Sequence, residues 1–386
     1  MEKIKICALT TISKAMDWFI VDSMRNLDKN GYDVTLICDM EEEFIQANSD
    51  FAKCIHLPMK RGASIKEIFK NVKALTKIFK EEKFDVVYYT TPNVSMYASI
   101  AGKKAKIKKR VYNQCGLRYA SFTGLKRFIF KMVEKITCKY STHVRAQSPL
   151  NMQFALDEKL TKPNKISVVG IGGTTGVDLK ECDSFDRQQV RAELRQKYGI
   201  PQDAFVFGYV GRLNKDKGTN ELIQAFTQAE NKLDNAYLML VGMKDTVNSV
   251  SDENYQKAVD DERIILTGNV PKNDVYKHMA AFDVLTHPTY REGFGKVLQE
   301  AMGMSLPIIT TNVIGPSEVV EQGKYGLLVK PQNVDDLTEK MLQIADDKEL
   351  CEQFAKLGRQ RAEQYFDRPI MLNNILQDMN KIVKGE

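Results

Sequence analysis

The chain is poor in the residues that anchor a fold through covalent or metal bonds. Its seven cysteines (7, 38, 54, 115, 138, 182 and 351) are odd in number, scattered, and never spaced as Cys-x-x-Cys. This argues against a disulfide framework or a zinc site and reads as reduced thiols. The four histidines form no recognisable pair in sequence, so none is assigned a catalytic role. No run of about 18 apolar residues occurs, and Met1-Glu2-Lys3-Ile4-Lys5 leads straight into a strand pattern without an apolar leader. The expectation is a cytoplasmic protein, neither secreted nor membrane-spanning. Neither half carries Gly-x-Gly-x-x-Gly after a strand with an acidic residue about twenty positions on, which excludes a dinucleotide oxidoreductase. No Asp-x-Asp cluster stands at a strand end to hold Mg²⁺, so neither a metal nor a cofactor is expected. The one strongly basic segment, 103–110, is short and lacks interleaved aromatics, so nucleic acid is not an expected partner.

What the chain does have is size and rhythm. At 386 residues and 43% hydrophobic, it is too long for one ordinary core and calls for two domains. The net charge of +6 is modest for this length, so its distribution matters more than its sum. Buried-strand patterns at Ile4-Lys5-Ile6-Cys7-Ala8-Leu9 and Asp33-Val34-Thr35-Leu36-Ile37-Cys38 alternate with helical runs from Asp17 to Lys29 and from Ser64 to Lys80, the latter with Ser64 as N-cap. Strands alternating with helices imply a parallel sheet covered on both faces. Gly170-Ile171-Gly172-Gly173-Thr174-Thr175-Gly176-Val177-Asp178 is the best linker candidate. Beyond it the rhythm restarts at Ala204-Phe205-Val206-Phe207-Gly208-Tyr209-Val210 and closes on an amphipathic pattern from Pro369 to Lys384. The expected domains are 1–178 and 179–386. A ligand is expected in the cleft between them, at the carboxyl ends of the strands.

The most informative stretch is Pro288-Thr289-Tyr290-Arg291-Glu292-Gly293-Phe294-Gly295-Lys296-Val297-Leu298-Gln299-Glu300-Ala301-Met302. It follows the strand pattern Phe282-Asp283-Val284-Leu285-Thr286, so its glycines fall where a sheet hands the chain to a helix. Free amides of Phe294, Gly295 and Lys296 at a helix start suit a phosphate. Eight residues of helix rise by about 12 Å, so Glu292 and Glu300 are expected to address opposite ends of one elongated ligand. That geometry suggests a sugar nucleotide. The strand 204–210 runs into Gly211-Arg212-Leu213-Asn214-Lys215-Asp216-Lys217-Gly218, which sets Arg212 and Lys217 at a strand's carboxyl end. An Arg fork and a Lys ammonium can stabilise a departing diphosphate without metal.

Gly-Arg-Leu-x3-Lys-Gly at 211–218, followed some eighty residues later by Glu-Gly-Phe-Gly-x4-Glu-Ala at 292–301, resembles the GT-B retaining glycosyltransferases of family 4. Cys115-Gly116-Leu117-Arg118-Tyr119 and Gly176-Val177-Asp178 resemble its capsule and polysaccharide branch. The resemblance covers the whole chain. It implies an α/β protein with two Rossmann-like doubly wound domains facing a central cleft, 1–178 for the acceptor and 179–386 for the nucleotide sugar. It also implies a final helix, about 369–384, that crosses back to the first domain. Arg212 and Lys217 would hold the donor diphosphate, Glu292 would face the transferred sugar, and Glu300 would bind the ribose, with Gly293, Phe294, Gly295 and Lys296 lining the donor. The implied reaction is a retaining, metal-independent transfer from a UDP-linked sugar to a polyprenyl-diphosphate-linked saccharide in bacterial capsule, exopolysaccharide or lipopolysaccharide synthesis. A GT-B non-transferase such as a nucleotide-sugar 2-epimerase is the alternative, though it is not expected to combine 212/217 with 292/300.

The first domain departs from the family at two places. Many members have Gly-Gly after the first strand, where this chain has Thr10-Thr11-Ile12-Ser13-Lys14, expected as a loop whose Thr10, Thr11 and Ser13 hydroxyls meet the acceptor. Many also have a histidine at the position of Cys115. Arg118 is a further candidate for an acceptor phosphate. Apolar residues at 125, 128, 129, 132, 133 and 136 form a helical stripe, expected to pack on its own sheet. Lys126, Arg127, Lys131 and Lys135 on other faces, with Lys103, Lys104, Lys106, Lys108, Lys109 and Arg110, form a basic surface near the acceptor side. That surface is either a solvated face or a dock on the anionic inner leaflet of the cell membrane.

Overall fold

The apolar run at the start of the chain is a strand, β1 (Ile4–Ile12), with six consecutive buried residues, the pattern of a parallel strand covered on both faces. It runs on through Thr10, Thr11 and Ile12, and a helix, Ser13–Phe19, begins at once. The expected loop at 10–14 is therefore absent, because Ile12 pairs with Asp39 after a register shift and extends the strand. The helical run expected from Asp17 to Lys29 is broken at Ile20, whose backbone (φ −127°, ψ −42°) separates Ser13–Phe19 from Val21–Lys29.

The computed structural model describes residues 3–59, 65–246 and 248–385. The N-cap expected at Ser64 lies outside them. The chain divides into two units, Met1–Thr175 with Pro369–Glu386, and Gly176–Arg368. Gly176–Asp178 thus belong with the second unit rather than the first. Val177 exchanges backbone hydrogen bonds with Phe366 and Arg368, and the Arg368 guanidinium donates to Asp178 at 3.1 Å.

In the first unit, β1 is joined by β2 (Tyr32–Asp39), β3 (Ala52–His56), β4 (Val86–Tyr89), β5 (Lys109–Gln114), β6 (His143–Ala146) and β7 (Ile166–Val168). All pair in parallel, in the order β3-β2-β1-β4-β5-β6-β7. The order reverses between β1 and β4, which opens a crevice at their carboxyl ends. One face is covered by Ile65–Glu82, Pro92–Lys104 and Gly124–Tyr140, with Leu75, Phe79, Tyr97 and Cys138 in its core. The other is covered by Val21–Lys29 and the last helix, Arg368–Lys384, through Met24, Leu27, Met379 and Ile382. Tyr32 also donates its hydroxyl to Asn380 at 2.7 Å, and Arg145 pairs with Asp378.

The second unit repeats the plan with β8 (Phe205–Val210), β9 (Ala236–Val241), β10 (Ile264–Gly268), β11 (Val284–His287), β12 (Ile308–Thr311) and β13 (Leu327–Val329), in the order β10-β9-β8-β11-β12-β13. Its reversal lies between β8 and β11, the two strands whose exits carry 211–218 and 288–294. Leu222 and Phe226 of one helix and Leu337 and Met341 of another fill its core.

Two expectations about the first unit's surface need correction. In the helix Gly124–Tyr140, Leu125, Phe128, Ile129 and Met132 are exposed, while Phe130, Val133, Glu134, Thr137 and Cys138 face the sheet. Four of the six stripe residues thus face away from the sheet, while Val133 and Ile136 pack on its core; the inward side also carries the buried Glu134, whose carboxyl accepts from Tyr112 at 2.9 Å. The basic surface is also divided. Lys103 and Lys104 end one helix and Lys109 starts β5, so this segment lies at the amino edge of the sheet, opposite the β1/β4 crevice. Arg110 is tied down by the carbonyls of Tyr140 and Ile107, and Arg127 and Lys131 pair with Glu158 at 2.8 and 2.6 Å.

Candidate functional site

At the carboxyl end of β8 the chain turns through Gly211 to a single 3-10 turn, Lys215–Lys217, capped by the Asn214 side chain, which accepts from the Lys217 amide at 3.0 Å. Gly218 follows with φ +69°, and a Cβ there would lie 2.0 Å from the Pro288 carbonyl oxygen. Only glycine lets the two loops touch. They are also joined by the Tyr290 amide and the Thr289 hydroxyl, which both donate to the Asp216 carbonyl, at 2.8 and 3.1 Å. Arg291 pairs with Asp216, and the Tyr290 hydroxyl donates to Glu221 at 2.5 Å.

This junction brings Lys217 and Glu292 together as an ion pair. Burial pushes the Glu292 carboxyl up, but its neighbours together, the Lys217 ammonium foremost and Arg291 among the rest, outweigh it and hold the group below the ordinary carboxylate range. Arg212, the third residue of the expected set, is two-thirds exposed (67%) and is held at 2.6 Å by Asp245, which also accepts from Asn214 at 2.9 Å. His287, the last residue of β11, is buried with its ring stacked on Tyr209 at 5.5 Å. Burial, reinforced by Lys217, pushes His287 down to about 3, so it stays neutral.

The glycine-rich stretch differs from its expected form. The helix begins at Lys296, behind a left-handed Gly295, and ends at Gly303. Glu292 therefore sits in the preceding loop, and the rise of a regular helix does not describe its separation from Glu300. Among the described residues, the amides of Phe294, Gly295 and Lys296 donate no hydrogen bond, as expected for a helix start. The Phe294 ring is buried edge-to-face on Phe366 at 5.8 Å. Gly293 precedes it, and Gly315 approaches from beyond β12, where a Cβ would lie 2.9 Å from the Glu292 carbonyl oxygen. Glu300 is nearly buried, with the Lys296 ammonium at 3.7 Å. Burial raises its carboxyl, and Lys296 opposes the shift without cancelling it.

Sequence reasoning missed Asp245 and Gly315. Asp245 stands alone in a loop and carries no signal of its own. Gly315-Pro316 followed by Glu318 is a legible helix start: proline stands at the first helical position, and Glu318 accepts from the Gly315 amide at 3.1 Å.

In the first unit, the crevice between β1 and β4 is bordered by Thr11 and Thr91, whose hydroxyls meet at 2.8 Å. Thr10 is fully buried and donates to the Ile12 carbonyl at 2.9 Å, and Ser13 donates to Glu41 at 2.5 Å. These three hydroxyls are occupied within the unit, rather than displayed on a loop. Cys115, by contrast, is exposed. Its sulfur gathers Thr90 at 2.8 Å, Gln147 at 3.0 Å and Asn113 at 3.4 Å, from the ends of β4, β6 and β5. Arg118 opens a 3-10 turn, Arg118–Ser121, and its side chain lies outside the described residues.

Known proteins share both halves of this arrangement. Residues 190–361 match the family model "Glycosyl transferases group 1", and residues 5–148 match "Glycosyl transferase 4-like". The chain is 31% identical to the capsular polysaccharide biosynthesis glycosyltransferase CapM of Staphylococcus aureus over 385 residues, covering 100% of this chain and 99% of that protein. It is 25% identical to the UDP-Gal:α-D-GlcNAc-diphosphoundecaprenol α-1,3-galactosyltransferase of Escherichia coli, over 84% of this chain and 83% of that one. The crystal structure of Anabaena HepE in complex with UDP and glucose superposes with a TM-score of 0.79 at 19% identity, covering 98% of this chain and 100% of that one. Through its motifs, its two doubly wound units and its full-length likeness to CapM, the chain belongs to the GT-B glycosyltransferases of family 4.

Proposed function

We propose that this glycosyltransferase moves a sugar from a UDP-linked donor to a hydroxyl of a polyprenyl-diphosphate-linked saccharide, with retention and without a metal, in the assembly of a bacterial capsule or a related exopolysaccharide or lipopolysaccharide. The observation that carries the reading is the Lys217 and Glu292 ion pair at the β8/β11 crevice, with Arg212 on the same loop as Lys217 and held by Asp245. The bond to be broken joins an anomeric carbon that gains positive charge to a phosphate oxygen that gains negative charge. A carboxylate suits the first and an ammonium the second, so a contiguous pair of opposite sign is matched to this bond as it lengthens. Glu292 then faces the sugar, Lys217 and Arg212 hold the diphosphate, the Phe294, Gly295 and Lys296 amides meet its remaining oxygens, Gly293 leaves room for it, and Glu300 accepts from the ribose hydroxyls.

In the transfer, the bond from the anomeric carbon to the diphosphate oxygen breaks and its electron pair leaves on that oxygen. The acceptor oxygen forms its bond on the same face of the sugar, and its proton passes to the departing phosphate. No protein base is required. Arg212 and Lys217 supply the positive charge that a metal supplies elsewhere. The acceptor is assigned to the first unit, at the β1/β4 crevice. Thr11 and Cys115 border it there, Thr10 and Ser13 brace its floor, and Arg118 is its candidate phosphate contact. The names of the relatives support the substrate classes: capsular polysaccharide for CapM, UDP-Gal and a diphosphoundecaprenol-linked acceptor for the Escherichia coli enzyme. The site of action is then the inner face of the cell membrane, reached from the cytoplasm, and among the described residues no helix is long and apolar enough to cross it.

A thermal-shift screen of nucleotide sugars tests the reading, because a ligand that binds only the folded state raises its apparent stability. A UDP-sugar should raise the midpoint and GDP-sugars should not, with turnover unchanged in excess EDTA. A response to no nucleotide sugar, or activity abolished by EDTA and restored by Mg²⁺, would overturn it.

A further inference from the structure

The helix Gly124–Tyr140 turns apolar side chains away from its own sheet. Leu125, Phe128, Ile129 and Met132 are 73, 62, 50 and 40% exposed, and their spacing of three, one and three puts them on one face. A soluble surface helix ordinarily does the reverse. Along the same outward side the apolar residues give way to Lys135 and Lys139 in the last turns, and Lys126 flanks the first turn with its ammonium 4.0 Å from the Phe122 ring. Arg127 and Lys131, on the inward flank, are already engaged by Glu158, so among the described residues the helix's basic side chains with no acid partner are those beside the apolar face. The helix packs antiparallel to the parallel strands it joins, so its apolar beginning lies at the carboxyl edge of the sheet, where the β1/β4 crevice opens. Phe69, 70% exposed, lies in the second turn of Ile65–Glu82, which begins at the same edge of the same layer.

We propose that this face docks on an anionic lipid bilayer, with Leu125, Phe128, Ile129 and Met132 entering the interface and Lys126, Lys135 and Lys139 meeting lipid phosphates. An apolar face edged by lysines is the composition that lies in a membrane interface. A second copy of the chain fits less well, because a two-fold contact would bring the same lysines against one another. The inference deepens the lipid-linked acceptor proposed above by naming the surface on which that acceptor is met. It also replaces the basic segment 103–110, which lies at the far edge of the sheet, as the membrane contact.

Co-sedimentation of the full chain with vesicles of phosphatidylglycerol and phosphatidylcholine, against phosphatidylcholine alone, tests it. Binding should require the anionic lipid. The pair Phe128→Ser and Ile129→Ser should weaken it by about tenfold or more, as should the triple charge reversal Lys126→Glu, Lys135→Glu and Lys139→Glu. Both sets lie on the exposed side of the helix, so the thermal shift with nucleotide sugar should be unchanged, which separates failure of docking from failure of the donor reading. Equal binding to neutral and anionic vesicles, or undiminished binding by the serine pair, overturns the proposal. So does a concentration-dependent dimer that the serine pair abolishes while vesicle binding is absent.

Discussion

Lys217 and Glu292 stand 75 positions apart in sequence and form an ion pair beyond the carboxyl ends of neighbouring strands, β8 and β11. The pair sets the ionisation of the carboxylate. Burial alone would favour the neutral acid, and the ammonium is the foremost of the neighbours that together reverse this. Lys217→Ala therefore removes two things: the charge that meets the leaving diphosphate, and the charge that keeps Glu292 ionised. Turnover should fall by about 10²–10³-fold. The acid limb of the pH–rate profile should also move to higher pH, because burial now acts with less opposition. Arg212→Ala should lower turnover to a similar degree without moving that limb, since Arg212 is held by Asp245 rather than by Glu292. Steady-state kinetics across pH distinguishes the two, and an unmoved limb in Lys217→Ala would contradict the coupling.

Glu300 presents a different balance. Burial raises its carboxyl and Lys296 only partly offsets this. If the ionised group accepts hydrogen bonds from a ribose, Glu300→Ala should weaken nucleotide binding about tenfold to a hundredfold, the range of a hydrogen bond to a charged group. Wild-type affinity should decline as pH falls toward the raised value of Glu300, since protonation removes an acceptor. Isothermal calorimetry with the nucleotide measures both, and unchanged affinity in the alanine variant removes Glu300 from the ribose.

Much of this was legible in the sequence. The runs that became β1, β2, β8 and β9 are strongly apolar, and the last three abut Gly31, Gly211 and Gly242, so their period and length leave little choice. The two loop motifs were legible because chemistry requires their residue types at strand ends. What could not be read were the pairings. No local signal joins Lys217 to Glu292 or Arg212 to Asp245, because such contacts depend on strand order. The extension of β1 through Thr10–Ile12 came from pairing with Asp39, which overrode an expectation based on loop position. The helix Gly124–Tyr140 misled for a related reason. Periodicity identifies an apolar face but does not say which side meets the sheet, and here the buried side was the one carrying Glu134.

Gly218 offers a test of how the two loops hold each other. With φ +69° and the Pro288 carbonyl 2.0 Å from where a Cβ would stand, even a methyl group forces the Lys215–Lys217 turn away from the 288–292 loop. Gly218→Ala should cost about 1–3 kcal/mol of stability, the range for a residue forced into a disfavoured conformation. It should also lower turnover more than donor affinity, because it displaces Lys217 relative to Glu292. Denaturant unfolding with parallel kinetics checks this, and wild-type turnover in the folded variant would show that the register of the two loops does not matter.

The last prediction concerns Glu134, buried on the inward side of the helix Gly124–Tyr140. Burial pushes its carboxyl up to about 7 from an ordinary 4.5, while the hydrogen bond from Tyr112 opposes the shift. A raised acid binds its proton more tightly in the folded state than in the unfolded one. Its contribution is fully present below about 4.5, is lost as pH rises toward 7, and stays lost above. A shift of this size corresponds to on the order of 3 kcal/mol across that window. Glu134→Gln keeps an oxygen that can accept from Tyr112 and removes the ionisation. The variant should therefore be more stable than wild type at pH 8, about equal to it at pH 4.5, and flatter between, as followed by thermal unfolding of the first unit. If the stabilities instead diverge toward low pH, Glu134 is ionised in the folded state and the burial argument fails.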